Sequence, residues 1–403
     1  MNVQQLHPAG FAPAGRKASP PSAGSFAART AIVAEIAAAT AETVDREARF
    51  PREAIDAAKQ QKLLGAQIPV EHGGDGASVS DLAEMCYALG RSCASTGMIF
   101  AMHQTKVACL VRHGAGSPWH ERLMHRVAAG QMLLASSTTE GQNGGNIRFS
   151  SAAVQHTGRR ISLERDATVI SYGAEADGIV TIARRDDAAA GSDQVLMAIT
   201  KDDYSLEPTM GWETLGMRGT CSAGFRLRFE GSDEQIFPDP YETIHAMTMT
   251  PVAHLCWSSV WAGNAAAAVE RARLFVRKAA RTQMPPAVAH LTKAKMSLSN
   301  LRALIATHLD AFARSDGAGS GLAAIERSPI TLLKVQASEL AVETVMHAMR
   351  TCGLAGYRND GEFSMGRYLR DALSAPIMIN NDRILADAAP ASLMGAVPSG
   401  LRD

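Results

Sequence analysis

Apolar residues recur every three to four positions at both ends of this chain, and in short runs of four to six in its middle. That double change of period limits the fold more than any other feature, because a helical repeat and a strand repeat bury different faces. Residues 1–25 (MNVQQLHPAGFAPAGRKASPPSAGS) have neither period and are rich in Pro, Ala, Gly and Ser, which predicts a disordered tail. Residues 26–134 read as helices, with further helical stretches around Ser78–Ala94, Gly97–His113 and Trp119–Ala129. Residues 135–240 carry the strand-like runs TVISYG, GIVTIA, QVLMAIT and FRLRF, the last alternating apolar with basic residues. From 241 to 403 long helical patterns return: Val252 to Thr282, one after Pro286, one from about Ser328 to Cys352 and one from about Phe363. The stretch Asp316–Ala323 reads as a loop between helices.

Composition then excludes several classes. Forty basic residues balance forty acidic ones in 403, so no net field draws nucleic acid or an anionic membrane. The six cysteines form no CxxC pair, against a zinc ribbon or disulfide scaffold and in favour of a reducing, cytoplasmic setting. No run approaches twenty apolar residues, and no secretion signal opens the chain. No P-loop, G-x-S-x-G or metal-ligand spacing occurs, and GQNGGN is no dinucleotide fingerprint without a βαβ unit around it.

Local motifs follow one another along this layout: LLGAQIPVEHGGDG at 63–76, STTEGQNGGN at 137–146, ATVISYGAEADGIVTIA at 167–183, WETLGMRGTCSAGFRLRFEG at 212–231, ARTQMPP at 280–286, RTCGLAGY at 350–357 and RDALSAPIMINNDRIL at 370–385. In order and spacing they resemble the acyl-CoA dehydrogenase family of flavoproteins. The resemblance implies an α+β fold: a helical N-terminal domain (26–134), a β-barrel or sandwich domain (135–240) and a C-terminal four-helix bundle (241–403). It also implies FAD. Thr138 and Thr139 would hold the flavin pyrimidine, and Ser171 would stand by flavin N5 where the family has threonine; Val169 replaces the family's tryptophan. Gly145 falls where a serine holds the substrate's pantetheine arm. Arg281, Arg350 and Gly353 fall on elements that reach the FAD of a neighbouring subunit, which implies a homo-oligomer, dimer or tetramer. Asn381 and Arg383 fall on further FAD contacts. Arg218 and the glycine-rich turn at 63–76 read as structural, as does His103.

The family removes the α-proton of an acyl thioester with a carboxylate while the β-hydrogen leaves as hydride, and the carbonyl must be polarised for the proton to be acidic enough. In the usual register that glutamate falls on Ile379. The alternative family position falls on Ala253. Neither can accept a proton. His254, beside the second position, is a candidate base and substrate contact, against the plain reading of a histidine packed in the bundle; Asp382 is a further candidate. Ile379 keeps its backbone N–H, which the resemblance directs at the thioester carbonyl.

The leading expectation is an FAD-dependent oxidoreductase acting on an acyl thioester, coenzyme A or carrier-protein bound, by α,β-dehydrogenation with an atypical base. Electron-transfer flavoprotein would then be a possible acceptor. Two alternatives stand beside it: a reduced-flavin-dependent monooxygenase on the same fold, and a catalytically silent acyl-thioester binder.

Overall fold

The computed structural model describes residues 24–141, 147–280, 287–317, 327–397 and 399–400. It opens with five helices: α1 (Phe26–Glu47), α2 (Arg52–Gln60), α3 (Val79–Ser92), α4 (Ala94–His113) and α5 (Pro118–Gly130). Their starts follow local rules. The Ser25 hydroxyl accepts the Ala28 N–H at 3.2 Å, and Ser78 with Asp81 forms a reciprocal capping box. The glycine-rich turn before α3 is structural, as expected: a Cβ on Gly74 would stand 2.0 Å from the Ile68 carbonyl oxygen.

Seven strands follow in two sheets. One joins β1 (Leu134–Ser137), β4 (Gly178–Arg184) and β5 (Gln194–Thr200) in the order β1-β4-β5, with β1 parallel to β4. The other is antiparallel, ordered β2-β3-β7-β6, from β2 (Gln155–Thr157), β3 (Arg160–Ala167), β6 (Tyr204–Met210) and β7 (Gly224–Ser232). β5 is buried along its whole length and β4 along all but its last residue, which is why GIVTIA and QVLMAIT read as unbroken apolar runs. In β7 the alternation expected of FRLRF holds: Phe225, Leu227 and Phe229 are buried, while Arg226 and Arg228 pair with Asp166 and Glu207 at 2.9 Å.

TVISYG is not a strand. Thr168–Gly173 leaves β3 as an irregular segment: the Ile170 and Tyr172 N–H groups donate to the Ala223 and Thr220 carbonyls, and Tyr172 takes a left-handed backbone. Ile170 and Tyr172 are buried all the same, and burial alone made the segment look like a strand.

The C-terminal helices are α6 (Tyr241–Ile244), a π-helical turn (His245–Met249), α7 (Thr250–Ala279), α8 (Val288–Gly317), α9 (Arg327–Cys352), α10 (Leu354–Tyr357), α11 (Gly366–Ile377) and α12 (Asn381–Met394). α7 runs through the middle, packed on α3, α4, α8 and α9. The main core is continuous from α1–α4 through both sheets to α7–α9.

Candidate functional site

β1 delivers Thr138 and Thr139 half-buried at its end, and Glu140 then bridges to Ala167 at the end of β3. That bridge brings the 137–140 segment beside the segment containing Val169 and Ser171. Glu140 is held by a buried ion pair with Arg165 at 3.0 Å and accepts the Ser151 N–H at 2.6 Å, while Arg165 also donates to the Ile182 carbonyl. Burial pulls Arg165 down to about 10, with Glu140 opposing. Glu140 is therefore a clamp between β1 and β3. The signal available in sequence was Arg165 itself, an arginine at an inward position of the alternating strand β3.

Ser171 sits half-buried beyond the strand, and its Oγ accepts from Ser222 at 2.8 Å; Ser222 in turn shares a 2.8 Å hydrogen bond with Thr220. Neither Ser222 nor Thr220 was singled out from sequence. The two hydroxyls sit in the 212–231 motif, so this ladder joins that motif to Ser171. Arg218 stabilises the same turn, donating to the Thr214 carbonyl at 3.0 Å, to Glu213 at 2.7 Å and to the Asp45 carbonyl of α1 at 2.8 Å. The turn docks on α11 through the Met217 N–H, which donates to Asp371 at 2.7 Å. α11 leads directly to Ile379.

His103 bridges three elements: its Nδ1 accepts the Leu134 N–H at 3.0 Å, so its Nε2 carries the proton toward the Leu64 carbonyl at 2.8 Å. Burial holds it down at about 4, so the ring is neutral, as a structural histidine should be.

The residues between α11 and α12 carry the local strain. Ile379 has φ 53° and Asn380 φ 34°. Asparagine tolerates this region because its short amide bonds locally; here its Oδ1 accepts the Asp382 N–H at 2.9 Å and caps α12. The Ile379 N–H makes no backbone hydrogen bond among the described residues, and its side chain is 41% exposed. Asp382 and Arg383 lie exposed on the first turn of α12.

Two sequence expectations change here. His254 lies 3% exposed between α7 and α9, with its Nδ1–H donated to the Ile330 carbonyl at 3.0 Å, and burial holds it down at about 4. In this position it is a neutral packing histidine and a poor proton acceptor at neutral pH. The Asn381 side chain is engaged inside the bundle: its Oδ1 accepts from Lys334 at 2.6 Å, and its Nδ2 donates to Ser338 at 3.0 Å. These bonds tie α12 to α9.

Arg350 is exposed near the end of α9, and Gly353 takes φ +56° just beyond it, a conformation suited to glycine. Sixteen residues of helix, roughly 24 Å, separate Arg350 from Lys334, so α9 presents these two groups at different places. Gly145 and Arg281 lie outside the described residues.

At the end of β1 the Ser137 Oγ and Thr139 Oγ1 are buried without a hydrogen-bond partner among the described residues. Orphan hydroxyls of this kind need a polar ligand or water, and beside Thr138 they fit the polar edge of a heteroaromatic ring such as a flavin. Among the described residues no three His, Cys, Asp or Glu side chains are placed to hold a metal ion, and no helix is long and apolar enough to cross a membrane.

A three-part architecture of helices, two small sheets and a helical bundle, with hydroxyls unpartnered among the described residues at the end of β1 and a turn at 216–217 docked on α11, defines a class of fold, and comparison identifies it. Residues 26–131 match the acyl-CoA dehydrogenase N-terminal domain and residues 245–387 the C-terminal domain; the chain belongs to the acyl-CoA dehydrogenase family. Similar proteins include the cyclohex-1-ene-1-carbonyl-CoA dehydrogenase of Syntrophus aciditrophicus (strain SB), 22% identical over 91% of this chain and 88% of the relative. The amino sugar nitrososynthase DnmZ of Streptomyces peucetius is 24% identical over 83% of this chain and 84% of the relative. Among solved structures, FMN-bound TdsC from Paenibacillus sp. A11-2, a dibenzothiophene monooxygenase, has the same fold, with a TM-score of 0.78, 19% identity and coverage of 93% and 98%.

Proposed function

We propose that this chain is a flavin-dependent oxidoreductase that works without a carboxylate base of its own, and that its reaction is oxygen insertion: dioxygen gives one oxygen atom to the substrate and the other to water, with two electrons from a flavin reduced by a separate donor. One observation carries the reading: the two family positions for the base hold Ala253 and Ile379, and the imidazole beside the first is neutral, buried and already bonded to Ile330. Abstraction of an α-proton needs a base whose pKa lies near the working pH. Oxygen insertion makes no such demand on these positions, and relatives with oxygenase and nitrososynthase names support it.

Bound flavin would supply the two-electron redox couple, and the chain's own residues would hold it. Thr138 and Thr139 hold the pyrimidine edge, Ser171 is braced by Ser222 and Thr220, and Glu140 with Arg165 fixes the β1–β3 junction under both. We take the flavin as FAD, with Arg281, Arg350 and Gly353 reaching the cofactor of a neighbouring subunit in a dimer or tetramer. Gly145 would lie along the substrate's carrier arm, and Arg383 near the cofactor.

A second reading is favoured by the Ile379 N–H, which has no backbone acceptor among the described residues and can polarise a carbonyl. It is the α,β-dehydrogenation of an acyl thioester, with Asp382 or a repositioned His254 as base and electron-transfer flavoprotein as acceptor. The test is anaerobic mixing of the purified protein, loaded with flavin, with a panel of acyl-coenzyme A and acyl-carrier-protein thioesters. Bleaching of the flavin band overturns oxygen insertion. A flavin that stays oxidised there, with label from isotopic dioxygen entering product once the flavin is chemically reduced, supports it; neither event leaves the silent binder.

A further inference from the structure

His254, Trp257, Ser258 and Trp261 occupy one face of α7, at helical spacings that stack side chains in adjacent turns. All four are buried, Trp257 being the most exposed at 8%. The indole Nε1 of Trp257, the indole Nε1 of Trp261 and the Ser258 Oγ have no hydrogen-bond partner among the described residues. The His254 and Trp257 rings lie 5.8 Å apart, and His254 donates to the Ile330 carbonyl of α9.

One turn further along α9 stands Lys334, fully buried, its ammonium 5.9 Å from the Trp261 ring centroid. Its hydrogen-bond acceptor is a neutral amide, the Asn381 Oδ1, and no salt bridge joins it to a carboxylate among the described residues. Burial pulls Lys334 down to about 8, with Glu339 opposing, which leaves the ammonium form predominant at neutral pH. A buried ammonium is ordinarily paired, and buried N–H and O–H donors are ordinarily satisfied. Here one cation and three unsatisfied donors gather on facing helices with no anion among them.

We propose that this α7–α9 seam binds an oxyanion, a carboxylate or phosphate group of the substrate. The inference rests on the oxidoreductase reading for the word substrate, and it narrows the substrate to one carrying such a group. Lys334 supplies the charge, and Trp257, Ser258 and Trp261 supply directed donors of the kind that recognise oxyanions. Asn381 holds the ammonium in place and, through its position at the start of α12, sets the seam next to the Ile379 turn.

The full-length protein, purified with its flavin, is titrated with sodium acetate and separately with inorganic phosphate, at ionic strength held constant with chloride, while tryptophan fluorescence is read. A saturable change with either anion is expected, and the arm that responds distinguishes carboxylate from phosphate. Lys334→Met should weaken that affinity at least tenfold, Ser258→Ala several-fold, and Lys334→Arg should stay within threefold. Flavin absorbance should persist in all, so a failure here is separate from a failure of the flavin reading. No saturable change in the wild type, unchanged affinity in Lys334→Met, or equal loss in the Arg and Met variants overturns the proposal. If Lys334→Met does not fold, the wild-type titration and Lys334→Arg decide.

Discussion

Asp371 shows how a single side chain joins sheet and bundle. It is buried, accepts the Met217 N–H and lies near Arg367, while Arg370 on the same helix pairs with Asp45 of α1. Burial raises its carboxyl from 3.8 to about 6, against the pull of Arg367. Between those two values the folded chain keeps a proton that the unfolded chain has lost. Stability therefore falls as pH rises through this window, by on the order of 3 kcal/mol once pH 7 is reached. Asp371→Asn still accepts the Met217 N–H but cannot titrate. Urea unfolding from pH 4 to 7 should show that fall in the wild type and its absence in the variant; equal slopes would refute the assignment.

At the scale of elements, the crossing of α3 and α7 places the α7 face discussed above. A Cβ on Gly263 would stand 2.2 Å from the Tyr87 carbonyl oxygen, and one on Gly90 2.4 Å from that of Val260. The helices touch backbone to backbone there, an approach open only to glycine. Gly263→Ala should force them apart and lower stability by about 1–3 kcal/mol, measured by thermal unfolding. A variant as stable as the wild type would mean that the crossing relaxes freely.

Over the whole molecule, apolar side chains stand uncovered on α10 and at the end of α12. Tyr357 is 75% exposed and Leu393 86%, with Leu354, Met394 and Val397 also open. Neighbouring exposed apolar side chains such as Leu393 and Met394 suit an association surface, in keeping with the proposed homo-oligomer. Sedimentation equilibrium should find a dimer or tetramer, and Leu393→Glu combined with Met394→Glu should shift it toward monomer. If FAD is shared between subunits, the dissociated variant should also lose its colour. A wild type that sediments as a monomer would remove the shared-cofactor role of Arg281, Arg350 and Gly353.

The order helices, sheets, helices was legible because hydrophobic period is a local property, and α9 runs from Arg327 to Cys352 almost as its spacing predicts. The absence of a carboxylate at 253 and 379 was legible as well, since it is a matter of residue identity. TVISYG misled because burial by tertiary contact and burial within a sheet leave the same apolar run. The fate of the polar side chains was decided only by packing. His254 is neutral because α9 covers it, Asn381 is consumed because Lys334 stands opposite, and Glu140 is a clamp because Arg165 points inward. Each partner lies 25 to 76 residues away in the chain, and a desolvated charge takes its character from whatever folding brings beside it.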